Sequence, residues 1–192
     1  ILAPEADPPA ADVAWRHIQA DYADPDAMRA FLDLVDVVTL EWENVPVAAV
    51  ELAAARRPAR PGAGVLEVTQ DRSSEKTFVA SLGIATAPFC ETTDVQSLEA
   101  ALQSIGPRAI LKTRRLGYDG KGQVLIDTGT SPAEALAALR GAPAILEGFV
   151  AFERELSVIT ARRPNGEIRS FPAVENRHAQ QILVETIAPA EI

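Results

Sequence analysis

The chain has 192 residues, 47% of them hydrophobic, and a formal net charge of −9 that is concentrated in residues 1–55. This length allows one large domain or two small ones. The single cysteine, Cys90, excludes an internal disulfide, and no apolar run is long enough to cross a membrane. A nucleic-acid-binding protein would have a basic face, and this acidic sequence does not indicate one. We therefore expect a cytoplasmic location, with no nucleic-acid and no membrane partner.

The first part of the chain alternates helical and strand patterns. Apolar residues within 11–35 follow a helical spacing, and residues 36–40 form a short β-branched run typical of a buried strand. Residues 45–55 predict a helix with Pro46 in its first turn, where a missing N–H costs little. This order indicates the later part of an α/β unit. Two prolines and two glycines in 58–64 predict a linker, and we place a domain boundary there.

The rest of the chain predicts an α+β domain. We expect helices over 74–82, 97–105 and 132–140, and strands over 109–113, 123–127 and 144–147. Gly83 is a natural end for the first of these helices. Asn165-Gly166, between two β-rich runs at 155–162 and 167–174, predicts a hairpin.

Residues 117–123 contain three glycines, which let backbone N–H groups approach a phosphate closely. Gly122 stands where a Walker A loop has Ser or Thr, so that motif does not fit. A strand, not a helix, is predicted to follow, which excludes a dinucleotide-binding fingerprint. A glycine loop between two strands would cover a ligand as a flap. The alternative is an ordinary long hairpin loop.

Lys112 lies inside the apolar strand pattern of 109–113. A buried lysine loses roughly several kcal/mol of hydration free energy, and a nearby anion is needed to offset this loss. A phosphate under the flap would do so, and the basic residues around the loop favour a small anionic ligand. An exposed position for Lys112 on the open face of a sheet, beside a solvated loop, is the alternative.

Residues 111–123, with the sequence LKTRRLGYDGKGQ, resemble the phosphate loop of the 5-(carboxyamino)imidazole ribonucleotide synthases, which are ATP-grasp enzymes. Leu116 departs from the usual form of that segment. Further stretches resemble the same family in the same order, at 41–46, 70–76, 147–150, 154–157 and 175–178.

The resemblance implies an α/β fold in two parts. Residues 1–57 would be the end of a Rossmann-like (PreATP-grasp) α/β domain. Residues 65–192 would be an α+β ATP-grasp domain that is incomplete at its C-terminal end. We expect the chain to be a piece of a longer enzyme and to be inactive by itself.

The resemblance also implies the ATP site. Arg72 and Lys112 would contact the phosphates. The covering flap would consist of Gly117, Tyr118, Asp119, Gly120, Lys121, Gly122 and Gln123. The adenine hinge would consist of Glu147, Gly148, Phe149 and Val150, where the end of a strand leaves backbone N–H and C=O groups for the base.

Two further residues are implied near the nucleotide. Glu155 would accept hydrogen bonds from the ribose hydroxyls, and His178 would lie beside the nucleotide. The alternatives are a surface ion pair between Arg154 and Glu155, worth at most about 1 kcal/mol, and an ordinary packing role for His178. Core packing is the alternative for Phe149.

The implied catalytic residues are Tyr118, Asp119 and Lys121 of the flap, which would touch bicarbonate or the substrate amine. The resemblance further implies that the edge after the strand at 36–40 faces the ribonucleotide substrate, with Glu43 the candidate for its ribose hydroxyls. The carboxyl ends of parallel strands are where open α/β sheets place ligands. The alternative for Glu43 is a carboxylate that stabilises the start of the following helix.

The implied reaction is the ATP-dependent carboxylation of 5-aminoimidazole ribonucleotide by bicarbonate, with ATP and Mg²⁺ as cofactors. Metal ligands are not assigned, since we expect them beyond Ile192. The resemblance also implies a homodimer. The alternatives are another ATP-grasp enzyme, of the formate-dependent glycinamide ribonucleotide transformylase or biotin carboxylase type, a non-catalytic nucleotide-binding module, and a structural α/β domain.

Overall fold

A computed structural model describes residues 1–116, 122–180 and 182–192. The chain forms two compact units. The first contains residues 1–86 and 114–116, and the second contains residues 87–113 and 117–192.

The first unit combines helices with short parallel strand pairs. Its elements are β1 (Leu2–Ala3), β2 (Ile18–Gln19), α1 (Pro25–Leu32), β3 (Val38–Thr39), α2 (Val47–Ala54), β4 (Ala59–Arg60), α3 (Ala63–Thr69) and α4 (Arg72–Ser81). β1 pairs with β2, and β3 with β4, both in parallel. The core of this unit consists of Met28, Leu32, Val38, Val45, Ala49, Val50, Ala53, Ala59 and Leu66.

Local signals explain where the helices of this unit begin. The Asp24 side chain accepts hydrogen bonds from the first backbone N–H groups of α1, and Pro25 follows it. The Asp71 side chain caps α4 in the same way. Pro46 is the residue before α2, so the helix predicted over 45–55 is confirmed with its proline just outside the first turn.

The helical prediction for 11–35 is wrong in its first half. Ile18 lies in β2, a short 3-10 helix ends at Asp12, and the α-helix is confined to Pro25–Leu32. Val13 is 90% exposed, so the apolar residues that suggested a helix do not share a buried face. The strand predicted over 36–40 is confirmed as β3.

The segment 58–64 contains β4 and the first residues of α3. Ala59 is buried in the core and pairs with Val38. The division into compact units falls after Thr86. The domain boundary at 58–64 stays a prediction, and α3 was not predicted.

The second unit is built around antiparallel sheets. Its elements are β5 (Phe89–Thr92), α5 (Val95–Ile105), β6 (Ala109–Thr113), β7 (Gln123–Ile126), α6 (Pro132–Ala138), β8 (Ala144–Gly148), β9 (Glu155–Ser157), β10 (Thr160–Arg162), β11 (Ile168–Ser170), β12 (Val174–Ala179) and β13 (Ile182–Ile187). The predicted helices and strands at 74–82, 97–105, 109–113, 123–127, 132–140 and 144–147 are confirmed.

The principal sheet has the strand order β5-β8-β6-β7, and its neighbours are antiparallel. One face packs against α5 and α6, with a core of Leu98, Ala101, Ala109, Leu111, Ile126, Ala135, Leu139, Ala144 and Leu146. Since side chains alternate along a strand, Lys112 and Glu147 lie on the other face.

Two smaller sheets complete the second unit. β9 and β13 flank β12, and β10 pairs with β11. The β10–β11 hairpin confirms the prediction from Asn165-Gly166, and Gly166 has the positive φ, 89°, that this turn requires. No helix in the part of the chain that the structure describes is long and apolar enough to cross a membrane.

Candidate functional site

Residues 70–72, which connect α3 to the first residue of α4, hold the segment 114–116 that leads into the glycine loop. Arg114 forms an ion pair with Asp71, with Nη2 2.9 Å from Oδ2 and Nε 3.1 Å from Oδ1. The Arg72 backbone N–H donates to the Arg114 carbonyl at 2.9 Å, and its Nη1 donates to the Leu116 carbonyl at 2.8 Å. The beginning of the loop is therefore attached to the start of α4.

Asp71 carries a stabilised negative charge. Partial burial alone would raise its pKa, but hydrogen bonds from Arg114 and from the backbone N–H of Ser73 outweigh burial and lower that pKa below its ordinary value. Asp71 thus combines two tasks, capping α4 and fixing Arg114.

Gln70 extends this connection to the segment that contains Glu43. Its Nε2 donates to the carbonyls of Glu43 at 2.7 Å and Val45 at 2.8 Å. Its Oε1 accepts from Arg115 Nη2 at 2.7 Å. Gln70 and Asp71 were part of a recognised stretch, but no role was predicted for either, because their partners lie far away in the sequence.

The Glu43 side chain is exposed, after the end of β3. Its neighbour Trp42 stacks on Tyr22, with ring centroids 6.2 Å apart. Partial burial, followed by the carboxylates of Glu5 and Glu41, raises the pKa of Tyr22 above its ordinary value. The neutral phenol is therefore favoured next to this acidic segment.

Lys112 is held by a carboxylate of the adjacent strand. Lys112 Nζ lies 3.0 Å from Glu147 Oε2, and the side chains are 25% and 9% exposed. Lys112 faces Ile145 in the β6–β8 register, so Glu147 is its diagonal neighbour on the same face. Glu147 therefore supplies an anionic partner for Lys112 within the chain, and the contact of Lys112 with a phosphate stays a prediction.

The predicted hinge follows directly from β8. Gly148 N–H donates to the Pro88 carbonyl at 2.8 Å, and Phe149 N–H donates to the Arg108 carbonyl at 3.2 Å. The expectation that the strand end leaves its N–H groups available is therefore wrong for these two residues. The Arg108 guanidinium lies 4.0 Å from the centre of the Phe149 ring. Val150 is 52% exposed.

Glu155 and His178 are brought together by the antiparallel pairing of β9 with β12. His178 Nδ1 lies 3.6 Å from Glu155 Oε1. Asn176, which faces Glu155 in the register, donates from Nδ2 to Ser157 Oγ at 2.6 Å and to Glu155 Oε1 at 3.4 Å. Asn176 belongs to a recognised stretch but was not predicted to be a site residue. Because it contacts Glu155, we add it to the candidate site residues.

The glycine loop joins β6 to β7, two adjacent antiparallel strands, as predicted. The Gly122 carbonyl accepts from the Thr113 N–H at 2.9 Å, and Gln123 pairs with Lys112. The remaining flap residues, Gly117, Tyr118, Asp119, Gly120 and Lys121, lie outside the described residues.

The described residues, 1–116, 122–180 and 182–192, contain no candidate metal site. Within these ranges, no group of three or more His, Cys, Asp and Glu side chains could hold a metal ion. Glu155 and His178 form a pair, and Glu147 is engaged by Lys112.

Models of two known domain families match the two parts of the chain. The sequence model of the ribonucleotide synthetase preATP-grasp domain matches residues 1–70, and that of the ATP-grasp domain matches residues 77–192. The predicted fold class is therefore confirmed.

The alignments with similar proteins cover the whole chain. It is 48% identical over 194 aligned residues to N5-carboxyaminoimidazole ribonucleotide synthase of Brucella melitensis, which covers 100% of this chain and 54% of the relative. The chain spans about half the length of the curated relatives it matches.

Crystal structures of such proteins have the same fold. N5-carboxyaminoimidazole synthetase from Staphylococcus aureus complexed with ADP has a TM-score of 0.93 and 34% identity, over 100% of this chain and 51% of that one. N5-carboxyaminoimidazole synthase from Aspergillus clavatus, in complex with ADP and 5-aminoimidazole ribonucleotide, has a TM-score of 0.87 and 25% identity, over 99% and 50%.

Proposed function

The chain belongs to the ATP-grasp family, and on that premise we propose that the protein carboxylates 5-aminoimidazole ribonucleotide with bicarbonate at the expense of ATP. The product is 5-(carboxyamino)imidazole ribonucleotide, an intermediate of de novo purine biosynthesis. The observation that carries this proposal is the likeness of the entire chain to enzymes named for the ribonucleotide product, and to one solved with 5-aminoimidazole ribonucleotide bound.

The chemistry has two steps. A bicarbonate oxygen attacks the γ-phosphorus of ATP, which releases ADP and forms carboxyphosphate. The exocyclic amine of the ribonucleotide then attacks the carboxyl carbon, the bond to the phosphate oxygen breaks, and the amine loses one proton. The products are the carbamate, ADP and phosphate.

Lys112 and Arg72 are the proposed phosphate ligands. Lys112 is a quarter exposed, so its ammonium can contact a phosphate oxygen while Glu147 holds it from the other side. This arrangement keeps the cation in place before ATP arrives, which reduces the entropy lost on binding. Arg72 lies at the start of α4 and is the second cationic side chain proposed for the phosphates.

The nucleoside is assigned to two groups of residues. Glu147, Gly148, Phe149 and Val150 would form the adenine hinge, with Phe149 and Val150 providing apolar contact. Glu155 would accept hydrogen bonds from the ribose hydroxyls, with His178 beside it. Asn176 supports the orientation of the Glu155 carboxylate through its amide.

The glycine loop is proposed as the flap that covers the phosphates with residues 117–123. Its side chains Tyr118, Asp119 and Lys121 are the candidates for contact with bicarbonate and the amine. Carboxyphosphate reacts readily with water, so exclusion of water is a second requirement for the flap. Glu43 is the candidate ligand for the ribose of the substrate.

ATP is expected to bind with Mg²⁺, since phosphoryl transfer depends on charge neutralisation of the phosphates. The described residues offer no cluster of ligands for the ion, so none of them is assigned to it. We further propose a homodimer and a cytoplasmic location, in keeping with a purine-biosynthetic enzyme.

The test is a product assay with the full-length protein, ATP, Mg²⁺, bicarbonate and 5-aminoimidazole ribonucleotide. We expect one ADP for each ribonucleotide carboxylated. Formylation of glycinamide ribonucleotide or carboxylation of biotin in place of this reaction would favour the other ATP-grasp activities. Nucleotide binding without any turnover would favour a binding module.

A further inference from the structure

The loop that carries Glu43 is held in place by a side chain from a distant part of the same unit. Residues 41–45, all of which the structure describes, lie in neither a helix nor a strand. A ligand group on such a loop needs tertiary contacts to stay in place. Gln70, which is 27 positions from Glu43, provides them. Its Nε2 donates to the Glu43 carbonyl at 2.7 Å and to the Val45 carbonyl at 2.8 Å.

The contacts of Gln70 fix the orientation of its amide. Nε2 has two hydrogens and faces two carbonyls, while Oε1 accepts from Arg115 Nη2 at 2.7 Å, within the same compact unit. A flipped amide would turn its oxygen towards the two carbonyls and its hydrogens towards a guanidinium. Gln70 is 6% exposed, and a buried polar group is costly without its partners. The carbonyls of Glu43 and Val45 are therefore held in fixed positions.

The residues on both sides of Glu43 are held as well. Trp42 stacks on Tyr22, and Val45 is 7% exposed and belongs to the core of the unit. Glu43 itself is exposed. A fixed main chain that carries an exposed carboxylate loses little conformational entropy when a ligand binds. This is the arrangement of a ligand group that is organised before its ligand arrives.

We propose that Gln70 is a positioning residue for the ribonucleotide, because it holds the main chain of the loop so that the Glu43 carboxylate meets the ribose hydroxyls. This inference rests on the proposed function, in which Glu43 is the candidate ligand for that ribose. Gln70 does not touch the substrate and acts through Glu43. A purely structural Gln70 would contribute to stability but not to the recognition of the hydroxyls.

The measurement is the dissociation constant, by calorimetry on the full-length protein without ATP, of 5-aminoimidazole ribonucleotide and of its analogue that lacks both ribose hydroxyls. We expect the parent to bind the ribonucleotide at least about tenfold more tightly than the analogue, the lower end for hydrogen bonds to a charged group. This ratio should fall below about threefold in Glu43→Ala, which has no carboxylate to accept the hydrogen bonds.

Two variants separate the two sides of the Gln70 amide. Gln70→Glu keeps an oxygen for Arg115 but turns a second oxygen towards the carbonyls of Glu43 and Val45, which repel it. Its ratio should also fall below about threefold. Arg115→Met is the matched control, because it removes the partner of Oε1 and leaves both carbonyl contacts in place. It should keep the parent's ratio even if its melting temperature falls.

A double variant tests whether Gln70 acts through Glu43. Gln70→Glu combined with Glu43→Ala should bind the ribonucleotide as tightly as Glu43→Ala alone, since the group that Gln70 positions is already absent. A further loss of affinity in the double variant would contradict the inference.

A parent that does not distinguish the two ligands overturns the inference, and so does a ratio that is kept in Gln70→Glu or Glu43→Ala, or lost in Arg115→Met. If Gln70→Glu does not fold, Gln70→Asn replaces it with the same expected ratio, because this uncharged variant withdraws the amide from both carbonyls. The product assay separates the two hypotheses. A parent that carboxylates the ribonucleotide while Gln70→Glu keeps the ratio refutes only this inference. A parent that neither carboxylates nor binds the ribonucleotide overturns the proposed function as well.

Discussion

Replacement of Lys112 by methionine should affect both nucleotide binding and stability. Methionine keeps the apolar part of the side chain and removes the ammonium, which lies 3.0 Å from Glu147 Oε2. ATP loses a charge-assisted hydrogen bond worth about 1.5–3 kcal/mol. This corresponds to roughly a 10- to 150-fold increase in its dissociation constant.

The stability change follows from the burial of the pair. Removing one partner of a fully buried ion pair costs about 3–5 kcal/mol. Exposed pairs contribute only about 0–1 kcal/mol. Lys112 is 25% exposed and Glu147 is 9% exposed, so the pair lies between these limits. We expect the free energy of unfolding to fall by about 2 kcal/mol.

Calorimetry with a non-hydrolysable ATP analogue and urea-induced unfolding measure the two effects on the full-length protein. The double variant Lys112→Met, Glu147→Gln is the control, because it removes the isolated charge as well as the ion pair. It should be more stable than Lys112→Met yet bind ATP equally poorly. Unchanged ATP affinity in folded Lys112→Met protein would refute the phosphate contact. A double variant no more stable than the single one would refute the ion-pair argument.

Three other predictions address the hinge, the ribose site and the cap of α4. Gly148→Ala would place a Cβ 2.9 Å from Pro88 Cγ, so the melting temperature should fall in line with an overpacking cost of about 1–3 kcal/mol; an unchanged value would contradict the tight contact. Glu155→Ala should weaken ATP and ADP binding by similar factors, since both carry the ribose, and calorimetry that shows a loss for ATP alone would exclude the ribose role. The pKa of Asp71 is lower in the folded state than in the unfolded state, where it is about 3.9. The charged carboxylate therefore stabilises the folded protein at pH values above about 3.9, and this stabilisation is lost as the pH falls through the lowered pKa of the folded state. The difference in unfolding free energy between the parent and Asp71→Asn should therefore be present at neutral pH and shrink as the pH falls below about 4, and a difference independent of pH would contradict it.

The glycine loop illustrates how far local sequence reasoning reaches. Three glycines between two β-rich runs predicted a loop joining two strands, and β6 and β7 are adjacent and antiparallel. The same reasoning predicted that Lys112 would need an anion. It could not predict Glu147 as that anion, because the two residues are 35 positions apart and meet only through the β6–β8 register.

The sequence by itself located α2, α4, α5 and α6, because the signals that begin or end a helix lie next to it in the chain. Pro46 and Gly83 mark such positions, and the family stretches were recognisable for the same reason, whereas α3 and the extent of α1 were not predicted. The tertiary structure alone decided how these stretches connect. Gln70 and Arg115 are 45 residues apart, and their contact exists only because the chain returns to the start of α4 after β6. Spacing along a chain carries no record of such a return, since the partner of a buried polar group is chosen by packing.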